Sequence, residues 1–390
     1  MIAPAGVSEF DHVYTSADLS VGRGAVADLD KALDQLGVDR ALVVCGSNTG
    51  ANDDLMEPIR ASLGTRLAEV YDGTTPDKDV MGAYGALDRL RAAEADGVVA
   101  VGGGSSLDVT KATRLLAAEH RRPDKLQREA ERTGSLSAPA DATLLPAAVI
   151  PTTFAGADLS IGGSVSFPDG ARAGMGDRRL MPDVAVYDPD LFETTPDGAL
   201  VGSAMNGFDK GVESCYAQNA NPVIHATAIQ GLRYLADGLP ECLDDGAALE
   251  RAVVGVVLVQ YGISRPHGTT LGPIHAFGHT LRSDAVQQGE AHAIAAPHVV
   301  NGILRQDRSG LDRLADGLGV ASDPASVVEA IRRVRDSLGL PSRLRDVDCP
   351  SEDKLDTVAA ATAEDSIVGN GPPWFEPTVK ALREMLDGMW

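Results

Sequence analysis

The chain has 390 residues, 44% apolar and 23% charged, a balance that excludes a disordered chain and leaves room for two domains with ample core. Its formal net charge of −22 repels polyanions, which argues against nucleic acid and anionic membrane as partners. The acid excess fits a heavily solvated surface of the kind found in high-salt cytoplasm, and with only 4% aromatic residues the core must be built from small aliphatic groups.

No basic stretch followed by an apolar one opens the chain, and no apolar run approaches the roughly 18 residues that a membrane span needs. Cys45, Cys215, Cys242 and Cys349 are scattered without CxxC spacing, which reads as reduced thiols of a cytoplasmic protein.

In chain order, Arg40 to Cys45 reads as a strand ending at Gly46-Ser47-Asn48, with a helix following through Leu55 and Ile59. Leu67 to Tyr71 is a second strand, ending at Asp72-Gly73 before a helix through Leu87, Leu90 and Ala93. Gly97 to Val101 is a third. It runs into Gly102-Gly103-Gly104-Ser105-Ser106-Leu107-Asp108 and a helical pattern with Leu107, Ala112 and Leu115 on one side. Glycines let a backbone approach a ligand closely, and a helix start presents free N–H groups and a positive dipole end, so this strand, turn and helix suit a phosphate or pyrophosphate. Asp108 and Lys111 on the first helical turn strengthen that reading. Lys125 to Ser137 looks like a solvated loop or helix, and Ala147 to Ile150 is a fourth strand, ending at Pro151-Thr152-Thr153. Such alternation predicts an α/β domain with a parallel, Rossmann-like sheet and ligands at the carboxyl ends of its strands. From about Asp190 the β-like runs vanish, and helical patterns cover His225–Leu239, Leu249–Tyr261 and His275–Leu281. The expected division is an α/β domain over 1–189 and an all-α domain over 190–390.

Over nearly its whole length the chain resembles the iron-containing (group III) alcohol dehydrogenase superfamily. The resemblance rests on the glycine turn through Lys111, on Ile150-Pro151-Thr152-Thr153-Phe154-Ala155-Gly156, on Met181 to Pro189, and on segments of the helical half. It implies an NAD(P)-dependent alcohol dehydrogenase or reductase with Gly102, Gly103, Gly104, Ser105, Asp108, Thr152 and Thr153 as cofactor contacts, acting as a homodimer or higher homo-oligomer. The first strand ends in Gly46-Ser47-Asn48, where relatives preferring NAD often carry an acid, so the choice between NAD and NADP stays open.

The family's metal site is where the sequence departs. Its pattern is an Asp, a His four residues later, then a Glu with Asn-Pro beyond it. Glu213 and Asn221-Pro222 fix that register, which puts Asn206 at the Asp position and Lys210 at the His position. In the second segment His275 and His279 match a pair four residues apart, and Gln288 takes the last ligand position. Only His275 survives of the four. An ammonium opposes a cation and the two amides offer weak oxygens, so the expectation is no catalytic metal. The departures look closest to the maleylacetate reductase branch, through Ser203 to Asn206, Ala220-Asn221-Pro222 and Glu290-Ala291-His292, although that branch keeps a His where Lys210 and Gln288 stand.

Two readings of the helical segment compete. Asp209 and Glu213, with His275 and His279, form a carboxylate–histidine site. Alternatively, Asp209 is a solvated helix residue and Glu213 pairs with Lys210. The ungapped register favours the second, with the histidines lining a polar pocket. The expected chemistry is hydride transfer between nicotinamide and a small carbonyl or alcohol, with Lys210 replacing the metal's charge and His275, or else His279 or His292, supplying the proton. The alternatives are a metal-dependent dehydrogenase with unorthodox ligands, a nucleotide-binding protein without turnover, and, last, a cyclase related to dehydroquinate synthase.

Overall fold

The strands follow from the apolar runs. The computed structural model describes residues 9–13, 17–119, 121–265, 268–282, 286–347 and 351–390. In its first half, nine strands are β1 (Asp18–Val21), β2 (Ala41–Gly46), β3 (Leu67–Thr74), β4 (Gly97–Gly102), β5 (Ser135–Leu136), β6 (Ala147–Pro151), β7 (Gly162–Ser166), β8 (Arg172–Gly176) and β9 (Val184–Tyr187). Six of them form one parallel sheet in the order β1-β9-β6-β4-β2-β3. Both its faces are covered, so β2 and β4 read as unbroken aliphatic runs. Val43, Cys45, Val99 and Val101 fill one face, whereas Leu42, Val44 and Val98 fill the other.

Helices α1 (Leu29–Gln35), α2 (Ser47–Gly50), α3 (Asp53–Leu63), α4 (Val80–Ala92) and α5 (Gly104–Ala118) accompany that sheet. The chain leaves β2 toward the β3 edge but leaves β4 toward β6, so the sheet reverses direction between these neighbours. Such a switch point opens a crevice at the carboxyl ends of the strands. The glycine turn stands there, with Gly102 at φ +116°, a conformation that disfavours a side chain.

The insert expected as a solvated loop or helix is α6 (Pro123–Thr133) followed by β5, with Leu126 and Ala130 buried. Strand β5 joins β8 and β7 in a small second sheet that the sequence reading did not anticipate.

The second half consists of α7 (Pro189–Phe192), α8 (Asp197–Tyr216), α9 (Pro222–Gly238), α10 (Gly246–Gln260), α11 (Pro273–Leu281), α12 (Gln288–Gln306), α13 (Leu311–Leu318), α14 (Pro324–Ser337), α15 (Leu355–Glu364) and α16 (Val379–Met389). One small hairpin of β10 (Ser264–Arg265) and β11 (Gly268–Thr269) qualifies the expectation that strands vanish there. Helix α8 runs through the middle and is buried along almost all of its second half. Cys45, Cys215 and Cys242 are free and buried, while Cys349 lies outside the described residues. No helix among the described residues is long and apolar enough to cross a membrane.

Candidate active site

A cleft of about 1190 Å³ lies between the glycine turn and the helical half. Gly103, Gly104, Ser105, Asp108 and Thr153 line one side, and Asn206, Lys210, His275, His279 and Gln288 line the other. Gly46, Gly102 and Thr152 stand outside this lining. Gly46 ends β2 beside Thr74, and the buried Thr152 donates its amide to the carbonyl of Gly102 and accepts from the Thr195 hydroxyl. Gly103 caps α5 without any side-chain acceptor, so the helix's first N–H groups stay open for an anion, and the turn fits a dinucleotide pyrophosphate.

Asp108 is buried and turned toward the small sheet. Its Oδ2 accepts from Lys78 Nζ at 2.6 Å and from the Ser164 amide at 3.2 Å, while Lys111 Nζ stands 3.7 Å from its Oδ1. Lys78 sits at φ +59°, an unusual backbone for a lysine. No sequence periodicity marks that residue, although it lines the cleft.

Lys210 reaches from α8 to the loop after β6, where Nζ donates to the carbonyls of Ala155, at 3.0 Å, and Gly156. The contact needs glycine at 156. Its φ is +71°, and a Cβ there would lie 2.7 Å from Nζ. The third ammonium hydrogen finds no acceptor among the described residues. Burial lowers the Lys210 pKa to about 8, opposed by the nearby Asp158 carboxylate and assisted by Lys111. Asp158 itself accepts from Tyr187 and, at 3.1 Å, from Gln260.

Lys210 therefore does not pair with Glu213, contrary to expectation. Helix α11 starts at Gly272, which has no capping side chain, and Glu213 supplies the missing acceptor from α8. Its oxygens take the amides of Gly272 at 2.8 Å, Ile274 at 2.7 Å and His275 at 3.3 Å. Several N–H groups at a helix start are worth more to a buried carboxyl than one lysine on its own helix. Glu213 Oε2 also lies 2.6 Å from His275 Nδ1, and His275 Nε2 lies 3.2 Å from Asn206 Oδ1. Burial raises the Glu213 pKa to about 8, against those three amides, and burial followed by repulsion from Lys210 holds the His275 ring neutral. The pair thus shares a hydrogen between Oε2 and Nδ1.

Asp209, expected in solvent, is fully buried, and desolvation followed by repulsion from Glu213 raises its carboxyl well above the usual range. Its turn of α8 faces α12, where His292 Nδ1 lies 3.2 Å from Asp209 Oδ2. His292 is likewise fully buried and off the cleft, which removes it as a direct proton donor. His279 sits at the cleft edge with Nδ1 2.8 Å from Asp365 Oδ2, a partner that sequence spacing does not reveal.

At the family's four ligand positions the cleft thus offers an ammonium, two amides and one imidazole. Among the described residues no group of three or more His, Cys, Asp or Glu side chains could hold a metal ion. This donor set does not fit divalent iron.

The profile of the iron-containing alcohol dehydrogenase family matches residues 16–189, and that of the Fe-containing alcohol dehydrogenase family, C-terminal part, matches 200–386. The chain belongs to the iron-containing alcohol dehydrogenase superfamily of oxidoreductases. Within it, the chain stands with the maleylacetate reductase branch. It is 26% identical to maleylacetate reductase 1 of Rhodococcus opacus, with 98% of this chain and 97% of that protein covered. The structure of maleylacetate reductase from Agrobacterium tumefaciens superposes with a TM-score of 0.79 at 25% identity, over 98% of this chain and 99% of that one. Similarity extends to the NAD-dependent methanol dehydrogenase of Bacillus methanolicus, 27% identical over 90% of this chain and 93% of that protein.

Proposed function

We propose that this protein transfers hydride between NAD or NADP and a small carbonyl or alcohol, with the Lys210 ammonium in place of a catalytic metal. The observation that carries the reading is the position of Lys210, which lines the cleft opposite the glycine turn with two hydrogens anchored and a third unused. The turn Gly102 to Ser105 and the start of α5 hold the pyrophosphate, bordered by Asp108, Thr152 and Thr153, with Gly46 toward the ribose. When bound, the nicotinamide supplies or takes the hydride.

The residues of the chain do the remainder. Lys210 donates its free hydrogen to the substrate oxygen and stabilises the charge that develops there, as a fixed donor does in an oxyanion hole. His275 gives that oxygen the hydrogen on Nε2 while Nδ1 takes the one held by Glu213. The carboxylate left on Glu213 is met by the three amides at the start of α11. The ring is neutral before and after, so no imidazolium is buried. Alcohol oxidation runs the same transfers backward. His279, on Asp365 at the edge, is placed to return protons from solvent.

In this reading residues 1–189 form the nucleotide domain and 190–390 the substrate domain of a cytoplasmic homo-oligomer suited to high salt. The test is fluorescence titration with NADH and NADPH, then turnover on small aldehydes and keto acids after exhaustive chelation, with elemental analysis. Binding and turnover by metal-free protein are expected. A stoichiometric metal whose loss and return carry the activity would overturn the metal-free mechanism, and binding without turnover would reduce the protein to a nucleotide carrier.

A further inference from the structure

Behind His275, away from the cleft, Asp209 and His292 form an acid–imidazole pair that the proposed chemistry leaves unused. Both are fully buried, and each has one atom without a hydrogen-bond partner, Asp209 Oδ1 and His292 Nε2. His292 Nε2 is turned against the backbone of Gly278, where α11 carries no side chain to meet it. The His292 ring meets the His275 ring edge to face, with centroids 4.4 Å apart and planes at 84°. His275 is thereby held at three places: Glu213 at Nδ1, Asn206 at Nε2, and His292 at the ring.

Packing alone does not account for this pair. An apolar side chain would fill the same volume without leaving two buried polar atoms unbonded, an arrangement that works against folding. What an imidazole bonded to a carboxyl adds is orientation, because the contact through Nδ1 fixes the ring's rotation. We infer that Asp209 and His292 are positioning residues for His275. Asp209 keys the His292 ring, and the keyed ring holds His275 with Nε2 on the cleft and Nδ1 on Glu213. The inference rests on the proposed function, in which His275 passes the proton. Neither residue touches the substrate.

The experiment compares wild type with His292→Phe, Asp209→Ala and Asp209→Asn by thermal melting, NADH affinity, kcat, KM and the isotope effect with deuterated nucleotide. His292→Phe keeps an aromatic ring beside His275 but loses the key, and it leaves the buried Asp209 carboxyl without its partner. Its melting temperature is expected to fall by the cost of that unpaired buried group, while the kcat of the folded variant drops by roughly 10-fold or more, the scale for partners that orient an active group. KM and NADH affinity should hold. The isotope effect should grow or stay large. Asp209→Ala frees the ring and should lose kcat in the same way, which keeps the test decisive if the phenylalanine variant fails to fold. Asp209→Asn retains a side chain that can bond Nδ1 and should recover most turnover. Wild-type kcat in His292→Phe or in Asp209→Ala overturns the inference, as does a loss of kcat that only follows a loss of folded protein. A wild type that turns over no carbonyl with either nucleotide defeats the proposed function and this inference with it, whereas active wild type with indifferent variants defeats the inference alone.

Discussion

Lys210, Glu213 and His275 were each visible as residue types, but their partners were not. Spacing along α8 pairs Lys210 with Glu213, whereas the folded chain sends the lysine to a loop 55 residues upstream and the glutamate to the start of α11. Helix rules rank only neighbours on one helix, and both side chains found stronger partners elsewhere. Asp209 was misread for the same reason, since an acid in a helix is solvated unless tertiary packing buries it. The resulting shifts have a kinetic consequence. Lys210 falls to about 8 and Glu213 rises to about 8, and carbonyl reduction uses both in their protonated forms. The rate of reduction should therefore hold below that pH and fall as pH rises through about 8, while alcohol oxidation, which needs Glu213 ionised but Lys210 still charged, should peak near pH 8. Profiles of kcat in both directions check this, and a reduction rate that stays flat well above pH 8 would contradict it.

At the scale of elements, β2, β3, β4 and β6 were legible, and so was the turn between β4 and α5, but β9, equally apolar, entered only as part of a family motif. Strand β1 was missed because it is a short, half-exposed edge, and β7 and β8 because Gly162-Gly163 and Gly174–Gly176 leave little apolar pattern. Two motifs that carry the family resemblance are structural. Asn221 caps α9 by accepting from the amides of Val223 and Ile224, with Pro222 at the first helical position. Glu290 completes a capping box with Gln287 at the start of α12. The α5 turn is different, because it has no cap of its own. Gly103 lies in the extended region, and a Cβ there would stand 3.4 Å from Thr153 Oγ1, so the free protein tolerates a side chain. Gly103→Val should leave the melting temperature nearly unchanged but weaken NADH or NADPH binding by about 10-fold or more, because the side chain occupies the anion's approach. Unchanged affinity by fluorescence titration would remove the turn from the nucleotide site.

For the whole molecule, a net charge of −22 opposes compaction through self-repulsion, which counter-ions screen within about 10 Å at 0.1 M salt. The melting temperature should rise between about 0.1 M and about 2 M potassium chloride, and a fall would count against a surface adapted to salt. Charge on that scale was legible at once from composition. The cleft was legible only through the family resemblance, because its two walls come from opposite halves of the chain and no local pattern joins them. In the proposed mechanism one ammonium in that cleft replaces a metal ion. The most direct test is kcat of Lys210→Ala beside wild type, both exhaustively chelated, on the best carbonyl substrate. A loss of at least ~100-fold with nucleotide affinity intact is expected, the scale for removing one stabiliser of a developing oxyanion. Full turnover in Lys210→Ala would contradict it and leave the lysine as no more than a tether for the Ala155–Gly156 loop.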